Sequence, residues 1–99
     1  MTIYVDDGDR HEGRLVHEAL MEVFLEHRIS GVTLFRGIAG YGSDKVFHTP
    51  KLLRLVENMP LKLEVVDAPE KIEAVLPDIC KIVEKGLVEV CDTEIIHSP

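Results

Sequence analysis

Apolar and charged side chains alternate from Leu61 to Val65, in the order Leu-Lys-Leu-Glu-Val. A period of two places every second residue on the same face of a β-strand, so this strand has one apolar face and one polar face. Such a strand needs neighbours in a sheet and a second layer that covers its apolar face. The chain is therefore predicted to fold as a sheet with at least one covering layer.

A first amphipathic helix is predicted before this strand, over about residues 14–28. It ends at Ser30-Gly31, where glycine is typical of a helix C-terminus. Four apolar residues recur at helical spacing and share one face: Val16, Leu20, Val23 and Phe24.

A second helix is predicted after the strand, from Asp67 to about Gly86. Asp67 is placed as its N-cap, and Glu70 follows three residues later as in a capping box. Pro77 lies inside the helical pattern, and we expect a kink or a break there.

Three more strands are predicted at residues 3–5, 32–35 and 87–91, with a glycine-rich loop after the second of them. The resulting order, β-α-β-loop-β-α-β, predicts one α+β domain over residues 1–99. It is the ferredoxin-like split β-α-β sandwich (βαββαβ), an antiparallel four-stranded sheet with two helices on one face. The uncovered face carries Phe35 and Val66, so we expect a partner subunit to cover it.

The charge of the chain excludes some classes of partner. Eighteen acidic residues against eleven basic ones give a formal net charge of −7, which disfavours nucleic-acid binding. No apolar run approaches the roughly 20 residues of a membrane span, so no direct membrane insertion is expected. Because the first residues lack a signal-peptide pattern, a cytoplasmic location is predicted.

The only positive stretch of the chain follows the second strand. Residues 36–54 contain four basic residues and one acid, a net charge of +3, and begin with a run that has three glycines between positions 37 and 42. Glycine backbone with Arg36, Lys45 and the titratable His48 is suited to a phosphate or a carboxylate. A flexible, solvated loop is the alternative that this pattern leaves open.

The sequence contains weaker signals for catalysis and for metal binding than for anion binding. No serine lies in a nucleophile elbow, so no hydrolase is predicted. His11 and His17 lie near Asp7, Asp9 and Glu12, but no two histidines have the four-residue spacing of a helical metal site.

The glycine-rich segment also carries a resemblance. Residues 36–42, taken with Asp7, residues 10–13, His48-Thr49 and residues 61–67, resemble a family of small PII-like proteins of unassigned function. The resemblance covers nearly the whole chain. It implies a ferredoxin-like homotrimer related to the PII nitrogen-signalling proteins, in a family whose genes sometimes neighbour a fluoride-exporter gene.

The comparison with PII proteins implies where a nucleotide would bind. The segment Gly40-Tyr41-Gly42-Ser43 is similar to the PII motif Gly-Phe-Gly-Arg, with Ser43 in place of the arginine. The PII phosphate-binding loop has only residues 83–87 as its counterpart, without the repeated glycines. The resemblance therefore implies a nucleotide mono- or diphosphate, or another small anion, rather than a triphosphate.

The predicted function is that of a non-enzymatic PII-like regulator with no permanent cofactor. AMP or ADP is the expected ligand at clefts between subunits, and the loop at about 41–50, expected to be mobile, would signal to a membrane transporter or an enzyme. The alternatives are a metal-binding trimer resembling the copper-tolerance proteins of the same fold and a trimer with no effector. The predicted nucleotide- or anion-binding residues are Arg36, Gly37, Gly40, Tyr41, Gly42, Ser43, Lys45 and His48.

Overall fold

The computed structural model describes residues 1–41 and 59–99 of the chain. Two helices and six strands lie within these residues, in the order β1 Thr2–Asp6, β2 Arg10–His11, β3 Arg14–Leu15, α1 Val16–Glu26, β4 Val32–Arg36, β5 Pro60–Val65, α2 Pro69–Ile82 and β6 Leu87–Glu89. The predicted loop at 41–50 lies outside the described residues, except for Tyr41.

The main sheet has the strand order β4-β5-β1-β6, and each neighbouring pair is antiparallel. With the two helices between its strands in sequence, this is the topology of the ferredoxin-like split β-α-β sandwich. The predicted fold class is confirmed, and the alternating strand becomes the inner strand β5.

The hydrophobic core lies between the sheet and the two helices. Alternate residues of the two inner strands face the helices and are buried, as the period of two requires. The helices meet them with their apolar stripes. Fully buried side chains come from both layers, among them Ile3, Leu20, Phe24, Leu61, Leu63, Val75 and Ile79.

A short hairpin of β2 and β3, which was not predicted from the sequence, precedes α1. Its turn is made by Glu12 and Gly13, both with positive φ, of 50° and 80°. Arg14 pairs with His11 across this hairpin, so α1 begins at Val16 and not at residue 14.

The end of α1 also differs from the prediction. The left-handed residue is Arg28, with φ of 55°, and not Gly31. The Lys71 ammonium donates a hydrogen bond of 2.7 Å to the Arg28 carbonyl oxygen. This bond ties the end of α1 to α2.

The predicted capping box of α2 is wrong. Ala68 is the N-cap, and no side chain caps the helix. The Asp67 carboxylate accepts hydrogen bonds from the backbone amides of Ser30, at 2.8 Å, and Ala68, at 2.7 Å. Both hydrogen bonds lower the pKa of Asp67, and the bond from the Ser30 amide has the larger effect. Asp67 therefore links the start of α2 to the loop that follows α1.

Helix α2 continues through Pro77, so the predicted break does not occur. The buried residues Val75 and Ile79 lie on either side of Pro77 and pack against the sheet, which holds the helix together there. Helix α2 ends at Ile82, before Gly86, and β6 is two residues shorter than predicted.

On the face of the sheet that the helices do not cover, a row of four side chains crosses all four strands, and three of them are aromatic or apolar. Phe35, Lys62, Tyr4 and Leu87 are direct neighbours in register, and the Lys62 ammonium lies 4.7 Å from the centre of the Phe35 ring. Phe35, Tyr4 and Leu87 are each exposed by 42% to 55%, and Val66 is also exposed. The predicted exposure of Phe35 and Val66 is confirmed.

Among residues 1–41 and 59–99, no helix is long and apolar enough to cross a lipid bilayer.

Candidate anion-binding site at one edge of the sheet

The glycine-rich segment begins at one edge of the main sheet, where four strand ends come together. Strands β4 and β1 end at this edge, and β5 and β6 begin there, because all neighbours are antiparallel. Three interstrand spacings separate the backbones of β4 and β6 by about 14 Å. A ligand at this edge can therefore contact residues of both β4 and β6 only through long side chains.

Arg36, the last residue of β4, reaches across the start of β5. Its Nη1 atom lies 2.6 Å from Oδ2 of Asp7, which follows the end of β1. The Arg36 side chain is 57% exposed, whereas that of Asp7 is only 15% exposed. The guanidinium group is thus brought next to β1 and still faces solvent.

Gly37 holds the segment close to β5. Its amide donates a hydrogen bond of 2.7 Å to the Pro60 carbonyl oxygen, and a Cβ atom at Gly37 would lie 2.7 Å from Cγ of Pro60. At Gly40 the same distance would be 3.5 Å, which is ordinary van der Waals contact. The close approach therefore requires glycine at position 37, while at position 40 the described residues leave room for a side chain.

An open cavity of about 330 Å³ lies where β1 ends and β6 begins, at the same edge of the sheet. Residues 8–10, after β1, form one wall, and residues 82–86, between α2 and β6, form the other, with Val5 and Val16 between them. Asp7, the ion-pair partner of Arg36, directly precedes Gly8 in the chain, but neither Asp7 nor Arg36 lines this cavity.

Two cations and two carboxylates line the cavity. Both carboxylates have partners: Asp9 accepts a hydrogen bond of 3.0 Å from the Asp6 amide, and Glu84 lies 3.3 Å from Nδ1 of His11. The Arg10 guanidinium donates one bond, of 3.2 Å, to the Gly13 carbonyl oxygen.

Lys85 has no hydrogen-bond or ion-pair partner among the residues that the structure describes, and it is exposed. Lys85 and the remaining donors of Arg10 are therefore available to an anion. The cavity itself therefore offers two cationic side chains, Arg10 and Lys85, to one small ligand.

The structure describes four of the eight predicted site residues. Arg36 and Gly37 lie at the loop base, Gly40 follows half-buried near Pro60, and Tyr41 is exposed. The other four lie outside the described residues: Gly42, Ser43, Lys45 and His48.

Sequence reasoning missed four residues of this site: Asp7, Arg10, Lys85 and Gly86. Asp7 was considered only as a metal ligand and as one of the residues that carry the resemblance. The segment 83–87 was considered only for the glycines that it lacks. The cation-glycine pair Lys85-Gly86, directly before a strand, is the signal that could have identified the second wall.

Within the described part of the chain, no group of three or more histidine, cysteine, aspartate or glutamate residues could hold a metal ion. The histidines near α1 instead contact carboxylates: His17 lies 3.6 Å from Asp7, and His27 lies 3.0 Å from Asp78. The alternative of a metal-binding trimer therefore gains no support from these residues.

Comparison with known proteins finds one matching family model, described as DUF190, uncharacterized ACR, COG1993, which covers residues 1–95. The chain is 34% identical over 96 residues to the UPF0166 protein MJ1524 of Methanocaldococcus jannaschii, covering 96% of this chain and 88% of that protein. It is also 34% identical over 97 residues to a UPF0166 protein of Aquifex aeolicus, covering 98% of this chain and 91% of that protein.

Proposed function

The chain belongs to the DUF190 family of uncharacterised proteins, and we propose that it is a non-enzymatic, PII-like regulatory protein that binds a small phosphate-bearing effector. The proposed ligand is an adenine nucleotide, AMP or ADP. It binds at the edge of the sheet, between the loop base at Arg36 and the wall formed by residues 82–86.

The observation that carries this proposal is the cavity between residues 8–10 and residues 82–86. Two available cations, Lys85 and Arg10, line it, on a chain whose net charge is −7, and the third cation of the proposed site, Arg36, is held by Asp7, which precedes Gly8 of the first wall. Because charge-assisted hydrogen bonds to phosphate are about twice as strong as neutral ones, these three side chains favour an anionic group over a neutral one.

The size and charge of the cavity support a short phosphate chain. Its volume of about 330 Å³ lies at the lower end of the range of small-molecule sites. A triphosphate brings more negative charge than Arg10, Lys85 and Arg36 neutralise, and the carboxylates of Asp9 and Glu84 lie in the same walls.

We also propose that the protein acts as a cytoplasmic homotrimer. The uncovered apolar row of Phe35, Tyr4 and Leu87 supports burial against other copies of the chain. The number three rests on the resemblance to PII-like proteins. Binding of the effector would then be transmitted through the glycine-rich segment that begins at Gly37 to a transporter or an enzyme.

Calorimetry with AMP, ADP and ATP tests the proposal. We expect AMP or ADP to bind at least as tightly as ATP, with little gain from magnesium. Arg36→Ala is expected to weaken binding about tenfold or more, since it removes a charge-assisted donor. Arg14→Ala is the matched control, because Arg14 pairs with Glu22 on the exposed surface and does not line the cavity. Absence of heat with all three nucleotides at millimolar concentration would contradict the proposal, and so would equal losses in the two variants.

A further inference from the structure

The cation at the end of β4 is already engaged by a carboxylate of the same chain. Arg36 Nη1 and Asp7 Oδ2 lie 2.6 Å apart. Most of the Arg36 side chain faces solvent, while most of the Asp7 side chain does not. An anion that approaches Arg36 from solvent therefore meets a guanidinium group whose inner side is bonded to Asp7.

Asp7 is held in place independently of Arg36. Its amide donates a hydrogen bond of 2.8 Å to the Met59 carbonyl oxygen, which fixes its backbone to the start of β5. Its second carboxylate oxygen, Oδ1, lies 3.6 Å from Nε2 of His17 at the start of α1. Because the two oxygens have different partners, Asp7 keeps one contact when Arg36 turns away.

We propose that Asp7 is a built-in competitor for the anion at Arg36, and that it sets the affinity of this site. The inference rests on the proposed function, because it concerns the same ligand. A bound phosphate either draws the guanidinium from Asp7 or shares its donors with Asp7, and in both cases it lies within a few ångströms of a second negative charge. Asp7 thus keeps Arg36 in position without ligand and lowers the affinity for every anion that arrives.

If Asp7 competes with the ligand, a substitution that removes its charge should raise the affinity for anions. Loss of a residue with a merely structural role would not raise that affinity. Asp7→Asn keeps the shape of the side chain and removes its charge. We expect this variant to bind ADP and pyrophosphate about fivefold more tightly than the wild type at low salt, the size that a partly exposed ion pair allows. The gain should be larger for ADP than for AMP, because repulsion grows with ligand charge, and it should shrink in high salt.

Glu22→Gln is the matched control. It changes the net charge by the same amount and also breaks an ion pair, that of Arg14 and Glu22 at 2.7 Å, but it does not line the cavity. We expect its affinity for ADP to stay within twofold of the wild type. Thermal melting of both variants shows whether they fold.

A measurement on the wild type keeps the proposal testable if Asp7→Asn does not fold. The carboxyl carbon signal of Asp7 and the side-chain Nε–H signal of Arg36 should shift together in NMR spectra as ADP is added. An Asp7 signal that stays constant at saturating ADP would overturn the proposal.

The outcomes separate this inference from the proposed function. If the wild type binds ADP and Asp7→Asn binds it equally or more weakly, the competition is refuted and the proposed function stands. If Asp7→Asn binds ADP or pyrophosphate and the wild type binds neither, the competition is supported, but the proposed function, nucleotide binding by the wild type, is refuted. If neither protein binds AMP, ADP or pyrophosphate at millimolar concentration, both proposals fail.

Discussion

Replacing Gly86 by alanine is expected to destabilise the protein by about 2–4 kcal/mol, because the new methyl group has no space. A Cβ atom at this position would overlap the backbone carbonyl oxygen of Tyr4 in the inner strand β1. It would also lie 2.8 Å from Cγ1 of Val83 and 2.9 Å from Cγ1 of Val5. The sheet or the connection before β6 must therefore move. For a domain of this size, the expected fall in Tm is more than about 10 °C.

Gly31→Ala is the matched control for this prediction. A Cβ atom at Gly31 would have no atom within 4 Å, and the left-handed residue of that loop is Arg28. We expect its unfolding free energy to stay within about 0.5 kcal/mol of the wild type, as for other surface substitutions. Both variants are compared by thermal and urea unfolding at one protein concentration, since subunit association also affects Tm. Equal stability of the two variants would show that the connection before β6 does not approach β1 as closely as described.

Leu87→Glu is expected to convert the proposed trimer into monomers. Leu87 is 55% exposed in the single chain and lies beside Tyr4 in the apolar row of the uncovered sheet face. Burying a carboxylate without a partner in an interface costs several kcal/mol, because the charge loses its hydration. Light scattering during gel filtration should give three times the chain mass of 11.1 kDa for the wild type and a single chain mass for the variant.

Leu25→Glu makes the same chemical change at a position outside the sheet. Leu25 is 77% exposed on α1, and we expect this variant to remain a trimer. A wild type that elutes as a monomer at micromolar concentration would contradict the trimer. A Leu87→Glu variant that stays trimeric would place the interface on another surface.

Periodicity was enough to predict the main sheet and its two helices. The alternation from Leu61 to Val65 and the helical spacing of Val16, Leu20 and Phe24 report burial directly, and burial determines the layers of this fold. The termini of the helices and strands were predicted less accurately, because they depend on contacts between residues that are distant in sequence. Asp67, a good N-cap by its type, instead binds the Ser30 amide that folding brings beside it.

The candidate site shows the same limit. Arg36 and Gly37 were predicted from local composition, since a cation next to glycines is visible in the sequence. Asp7 and Lys85 come from segments far away in the chain, and only the pairing of β1 with β5 and β6 brings them to the same edge of the sheet. No local pattern encodes that approach.

The most direct test of the proposed function is an ADP titration of the wild-type protein followed by the backbone amide signals in NMR spectra. The site predicts saturable shifts centred on three glycine amides, those of Gly8, Gly37 and Gly86, which lie on the two cavity walls and at the loop base. If no amide signal shifts at millimolar ADP, the proposed function is contradicted. Shifts confined to the acidic outer side of α1, at Glu18, Glu22 and Glu26, would contradict it equally.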